Sequence, residues 1–182
     1  MNNSNTTEYW NNSWITGRKK FPKYTLKVIR DLVPENSEVL EIGCGYGKLL
    51  KWLKDYKNCD VYGVDISDVA IKAAKERLGI EGEVCNAENL VLKIDRKFDV
   101  VIASHLLEHL DNDEEFINKC VKLLKPKGVM IVAVPDNCSY PEETGEHVRK
   151  YDEQSLTALL VKYFYELENH SYKNHLIFRA KI

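Results

Sequence analysis

Two stretches of the chain carry residue types and spacings that could do chemistry. The first is Glu41-Ile42-Gly43-Cys44-Gly45-Tyr46-Gly47, with Asp65 eighteen residues beyond Gly47. Three alternate glycines permit tight turns at positive φ and a close approach of the backbone to a ligand. Such a loop, feeding a helix N-terminus, aims free N–H groups at a pocket. A carboxylate at the end of the next strand can accept both hydroxyls of a ribose. The spacing also discriminates, because the dinucleotide fingerprint is GxGxxG and this loop is GxGxG, followed by Lys48. Glu41 adds a carboxylate that a pyrophosphate would repel, whereas a ligand with an ammonium group suits it.

The second stretch holds His105, Glu108 and His109 at i, i+3 and i+4, which share one face if the segment is helical. Imidazole titrates near neutral pH, so His109 is the first candidate for a general base. His147 is the second, with Arg149 and Tyr151 close in sequence, and Tyr151 is expected beside the substrate. HxxEH is also the spacing of one class of zinc peptidases. That chemistry would leave the glycine loop and Asp65 unexplained, and no metal is expected.

These residues need a scaffold, and the hydrophobic pattern supplies one. Glu38–Ile42, Asp60–Asp65, Glu83–Cys85, Phe98–Ala103 and Val129–Val134 read as buried strands. Helical spacing over Gly47–Asp55, from the Ser67 cap through Arg77, and over Glu114–Leu124 separates them. Gly79 follows the second of these helices, and Pro126 and Gly128 end the third. Asp152 caps a further helix, and Tyr165–Asn169 with Leu176–Lys181 reads as a closing hairpin. Strands alternating with helices predict a doubly wound α/β fold, mainly parallel, with helices on both faces and an antiparallel C-terminal hairpin. Ligands of such sheets sit at the carboxyl ends of the strands, near the point where strand order reverses. Residues 1–35 are expected to form an aromatic arm and first helix, and residues 36–182 the ligand-binding domain.

Composition narrows the class. A length of 182 residues suits one domain. With 26 Lys and Arg against 28 Asp and Glu, the net charge is −2, which weighs against a nucleic-acid partner. No run of 18 apolar residues exists, and Met1–Thr7 has neither the basic start nor the apolar core of a signal peptide. Five cysteines, an odd number without a CxxC, suit reduced thiols in the cytoplasm.

VLEIGCGYG at 39–47, followed by VDIS at 64–67, resembles the class I S-adenosylmethionine-dependent methyltransferases. NAENL at 86–90, FDVVIASHLLEHL at 98–110 and LLKPKGVMIVAVPDN at 123–137 are similar to later blocks of that family. EHVRKYDEQSLTALL at 146–160 is similar to its ubiquinone-biosynthesis-like branch. The resemblance implies S-adenosyl-L-methionine as cofactor, S-adenosyl-L-homocysteine as product and a small-molecule or side-chain acceptor. It implies that Gly43, Gly45 and Gly47 make room for the methionine part and the ribose, and that Glu41 supports the loop or the ligand's ammonium group. Asp65 would hold the ribose hydroxyls and Ile66 would pack on the adenine. Asn86, Ala87 and Glu88 would line the adenine edge, and Ser104 would lie beside the ligand amine. Asn86 stands where Asp is common, so a neutral acceptor replaces a charged one.

In the family the pair at 108–109 often acts structurally. HxxEH with His147 also resembles in part the metal cluster of the small-RNA 2′-O-methyltransferases, ExxEH plus a later His, although His105 replaces the first Glu. The net charge and the lack of an added RNA-binding segment oppose that alternative. A non-catalytic module that binds the cofactor is a second alternative. Tyr9, Trp10, Trp14 and Phe21 lie in a polar N-terminal arm similar to arms that fold over the cofactor. Such an arm serves either as a lid over the sulfonium, by cation–π contact, or as a docking segment for stability.

Overall fold

Alternation along the central strands sorts their side chains to two faces. Val39, Val100, Ile102, Ile131 and Ala133 fall in one buried cluster; Leu40, Ile42, Val101, Ala103, Met130 and Val132 fall in the other. Both faces are apolar, so both must be covered. The computed structural model of the protein describes residues 6–17, 23–138 and 147–182; Phe21 and Glu146 lie outside them.

Helices α1 (Thr7–Ile15) and α2 (Lys23–Leu32) precede strand β1 (Glu38–Ile42). The chain continues through α3 (Lys48–Lys57), β2 (Asp60–Asp65), α4 (Asp68–Leu78), β3 (Glu81–Val84) and β4 (Phe98–Ser104). It ends with α5 (Asp113–Leu123), β5 (Leu124–Pro135), α6 (Glu153–Leu160), β6 (Glu166–Asn169) and β7 (His175–Lys181). The seven strands form one sheet in the order β3-β2-β1-β4-β5-β7-β6. Strands β1 to β5 run parallel to one another, and β7 runs antiparallel to β5 and β6. This is the doubly wound fold with its antiparallel C-terminal pair. Strand order reverses between β1 and β4, which puts the carboxyl ends of those strands at the ligand crevice.

Helix ends follow local chemistry. Ser67 Oγ accepts from the Ala70 N–H at 3.1 Å, and Gly79 closes α4 at φ 62°. Asp152 and Ser155 form a capping box at α6.

Two boundaries differ from expectation. Strand β3 lies at Glu81–Val84 rather than 83–85, because Gly82 faces Gly63 with no side chain between the strands. A Cβ at Gly82 would stand 2.1 Å from the Gly63 carbonyl oxygen. Strand β5 starts at Leu124, which pairs with Phe98; pairing then skips to Val100 and Val129. Pro126 sits in that irregularity, where its missing N–H costs no ladder bond. Helix α2 packs against the sheet: Ile29, and Val33 just beyond the helix, are fully buried in the same cluster as Val39, Leu50 and Ile177. All five cysteines are free, and no helix among the described residues is long and apolar enough to cross a membrane.

Gly82→Ala is expected to destabilise the fold by about 1–3 kcal/mol through overpacking. Urea unfolding checks this, and an unchanged midpoint would show that β3 gives way freely.

Candidate functional site

Strand β1 ends at Ile42, and Gly43, Gly45 and Gly47 follow at φ 77°, 52° and 72°. These left-handed values are costly for any residue with a Cβ. Val64 carbonyl oxygen accepts from both the Gly43 and Cys44 N–H groups, at 2.8 and 3.0 Å. Asp65, at the end of β2, accepts from Gly45 N–H on Oδ2 at 2.8 Å and from Ser67 N–H on Oδ1 at 2.9 Å. The acid therefore joins the glycine loop to the start of α4. Burial pushes its pKa up, opposed by the backbone N–H groups of Ser67, Gly45 and Ile66.

Glu41 is buried in β1, and its Oε2 has no hydrogen-bond partner among the described residues. Burial, and then the Asp65 charge, push its pKa well above the usual carboxylate range. Ser104 Oγ, at the end of β4, is buried and likewise without a partner.

Beyond β3, Asn86 Oδ1 accepts from Glu88 N–H at 3.0 Å and caps a short 3₁₀ turn, Ala87–Asn89. Ala87 is buried, and Ile66 is half-buried. Glu88 has a structural tie: its Oε1 accepts from Asp111 N–H at 2.5 Å, and its carbonyl from Lys119 Nζ at 2.8 Å.

Helix α1 reaches across these loops. Asn11 donates to Asp68 Oδ1 at 2.7 Å and accepts from Ser67 Oγ at 2.6 Å. Tyr46 Oη donates to the Trp14 carbonyl at 2.8 Å, and the two rings lie 4.7 Å apart. The Trp14 ring occupies the space a Cβ at Gly45 would need, 2.3 Å away. Trp10 meets His109 edge-on at 5.1 Å between ring centroids. One helix thus touches α4, the glycine loop and the β4 loop. Trp10 and Trp14 were legible as an aromatic arm, whereas Asn11 and Tyr46 carried no sequence signal.

The HxxEH stretch does not form one helical face. Only Leu107–His109 is a 3₁₀ turn, and His105 sits before it at φ 52°. His105 Nδ1 lies 3.5 Å from Glu108 Oε1. Glu108, His109 and His147 each bring one ligating atom within 4.8 Å of the others. The His109 and His147 rings are 5.0 Å apart. Burial raises the Glu108 pKa, but the His105 hydrogen bond and the His105 and His109 charges outweigh it and hold the carboxyl below its usual range.

A strap fixes this arrangement. Val148 and Arg149 N–H groups donate to the Glu108 carbonyl at 2.9 and 3.2 Å. The Arg149 guanidinium donates to the Leu110 carbonyl at 2.9 Å and to that of Asp111. Tyr151, expected beside substrate, is buried instead and donates to Asp113 Oδ2 at 2.8 Å. Burial and then that carboxylate raise its pKa far above normal, so its hydroxyl serves the strap. Asn137, just beyond β5, places Nδ2 2.6 Å from His147 Nδ1. The sequence pattern did not single it out.

Residues 40–132 match a family model described as Methyltransferase domain. The chain is 38% identical over 120 residues to a ubiquinone biosynthesis O-methyltransferase of Bartonella tribocorum, covering 61% of this chain and 48% of that protein. It is 27% identical over 143 residues to a phosphoethanolamine N-methyltransferase of Plasmodium falciparum, covering 75% of this chain and 53% of that one. The chain therefore spans about half the length of these curated relatives. A TehB-like SAM-dependent methyltransferase from Corynebacterium glutamicum superposes with a TM-score of 0.70 at 16% identity, covering 97% of this chain and 98% of that one.

Proposed function

The chain belongs to the methyltransferase-domain family, and on that premise we propose that it transfers a methyl group from S-adenosylmethionine to a small-molecule acceptor. The observation that carries this reading is the pairing of Glu41 with Asp65 beneath the glycine loop at the switch point of the sheet. Glu41 offers a buried, unpartnered oxygen suited to an ammonium group. Asp65 keeps further lone pairs for a ribose, since an ionised carboxylate accepts at about four sites. Gly43, Gly45 and Gly47 let the backbone approach the methionine part. Ile66 would pack on the adenine, Asn86 and Ala87 would border its edge, and Ser104 would face the amine. Glu88 would support that border through Asp111.

When bound, S-adenosylmethionine supplies a methyl group already activated on a sulfonium. The protein's own task is then to align the nucleophile, exclude water and accept a proton. Helix α1 would form the lid, with Trp14 on the glycine loop and Trp10 beside His109. His109 and His147 would stand on the acceptor side and hold the proton. The acceptor would carry an oxygen or nitrogen nucleophile, in keeping with relatives named for O- and N-methylation. Five free cysteines favour a reducing, cytoplasmic setting.

Calorimetric titration tests the reading. S-adenosylmethionine and S-adenosylhomocysteine should bind with micromolar affinity and NAD should not; loss of residues 1–16 should weaken both. Burial pushes the Glu41 pKa up and a neighbouring ammonium group would pull it down, so donor binding is expected to shift the Glu41 proton equilibrium, read as a dependence of the binding enthalpy on buffer ionisation. Absence of binding would overturn the reading. Binding without homocysteine release on any acceptor would make the chain a binding module.

A further inference from the structure

Strand β5 ends at Pro135, and Asn137 stands two residues beyond it, at the carboxyl end of the sheet. The residue is 2% exposed, and its Nδ2 lies 2.6 Å from His147 Nδ1. Its Oδ1 is buried without a hydrogen-bond partner among the described residues. Buried amide oxygens are normally paired, and an orphaned one calls for a reason. The contact with His147 is also tight. Even N–H···O bonds usually begin at about 2.7 Å, and nitrogen is the larger atom, so two nitrogens at 2.6 Å are crowded.

We propose that Asn137 is a positioning residue that fixes the tautomer of His147: its Oδ1 accepts from the His147 Nδ1–H and leaves Nε2 as a bare lone pair. Half a turn of the amide exchanges its oxygen and nitrogen. The buried oxygen then has its donor, and the short contact becomes an N–H···O bond. A neutral imidazole has one donor and one acceptor nitrogen, so holding the proton on Nδ1 frees Nε2. In the opposite sense the amide Nδ2 donates to Nδ1, the proton moves to Nε2, and His147 can only donate from its open edge. The two orientations therefore give opposite chemistry.

The fold clamps both partners. On either side of Asn137, Asp136 forms an isolated parallel bridge with Tyr151, and Cys138 N–H donates to the Tyr151 carbonyl at 3.3 Å. Directly after His147, the Val148 and Arg149 N–H groups donate to the Glu108 carbonyl. The half-buried imidazole is thus held between the loop after β5 and the turn after β4, where the His109 ring lies 5.0 Å away. This role rests on the methyltransferase reading. In that reaction His147 Nε2 accepts the proton that the acceptor's oxygen or nitrogen sheds as it takes the methyl group and the C–S electron pair stays on sulfur. The imidazolium keeps its Nδ1–H bond to Oδ1 and then passes the Nε2 proton to water. His109 remains the second imidazole of the pair. A base held in the wrong tautomer loses most of its contribution even where its geometry is intact.

Nitrogen-15 spectra of the imidazole rings in the full chain test this without any acceptor, and S-adenosylhomocysteine binding is measured on the same samples by calorimetry. The His147 signals are assigned by their loss in His147→Gln. On the neutral ring, Nδ1 should resonate as a protonated nitrogen and Nε2 as a bare one. Asn137→Asp, which keeps an oxygen beside Nδ1, should retain that pattern. Asn137→Ala should lose it, while S-adenosylhomocysteine affinity stays within a factor of about two, because the donor residues are untouched. A bare Nδ1 and a protonated Nε2 in the parent chain overturn the assignment, and that spectrum decides even if Asn137→Ala fails to fold. An unchanged pattern in Asn137→Ala overturns it as well. A parent chain with the expected tautomer but no S-adenosylhomocysteine binding overturns the donor reading and leaves the tautomer assignment standing.

Discussion

His109→Ala is expected to lower methyl transfer by about 10²–10⁴-fold, the usual contribution of a positioned acid–base group, while donor affinity stays within a factor of about two. His109 is buried and meets His147, Glu108 and Trp10, on the side proposed for the acceptor. Its removal takes away the group proposed to hold the acceptor's proton and leaves Glu41, Asp65 and the glycine loop untouched. Release of S-adenosylhomocysteine under saturating donor measures the first effect, and calorimetry the second. Equal turnover in variant and parent would return His109 to a structural role. His109→Gln, which keeps a polar side chain in the space, guards against a packing artefact.

The second large effect concerns Asp65. Asp65→Ala should weaken S-adenosylmethionine binding by about 1–3 kcal/mol, roughly 5–150-fold, the cost of hydrogen-bonding groups left unpaired. The carboxylate also accepts from Gly45 and Ser67 N–H groups, so part of the loss would come from a looser glycine loop. Asp65→Asn separates the two contributions, because its single carbonyl oxygen can keep one backbone bond. Thermal unfolding of the ligand-free variants reports the loop contribution. An unchanged donor affinity in Asp65→Ala would remove the ribose assignment.

Much of the fold was legible because its signals are local. Strands β1 and β2 fall at the expected residues, and Ser67, Gly79 and Asp152 mark helix ends where they were read. The misplaced boundaries have nonlocal causes. Strand β3 starts early because Gly82 meets Gly63 on a neighbouring strand. Pro126 interrupts a strand and not a helix because Leu124 finds Phe98.

The site divides in the same way. Positive φ is a property of a glycine and its immediate neighbours, so Gly43, Gly45 and Gly47 could be read along the chain, as could Asp65 at the end of a strand. Tyr151 could not: its hydroxyl is committed to Asp113 from 38 residues away. Asn11 on Ser67 and Asn137 beside His147 depend on which loops the sheet order brings together. By itself the sequence determined the layered sheet, the glycine loop and the acid beside it, because backbone conformation and period-two burial are written over a few consecutive residues. Only the tertiary structure decided that Glu108, His109 and His147 converge, that His105 stands behind them, and that α1 crosses the loop. Those contacts join distant segments at the carboxyl ends of β4 and β5, and nothing in the neighbouring residues encodes the meeting.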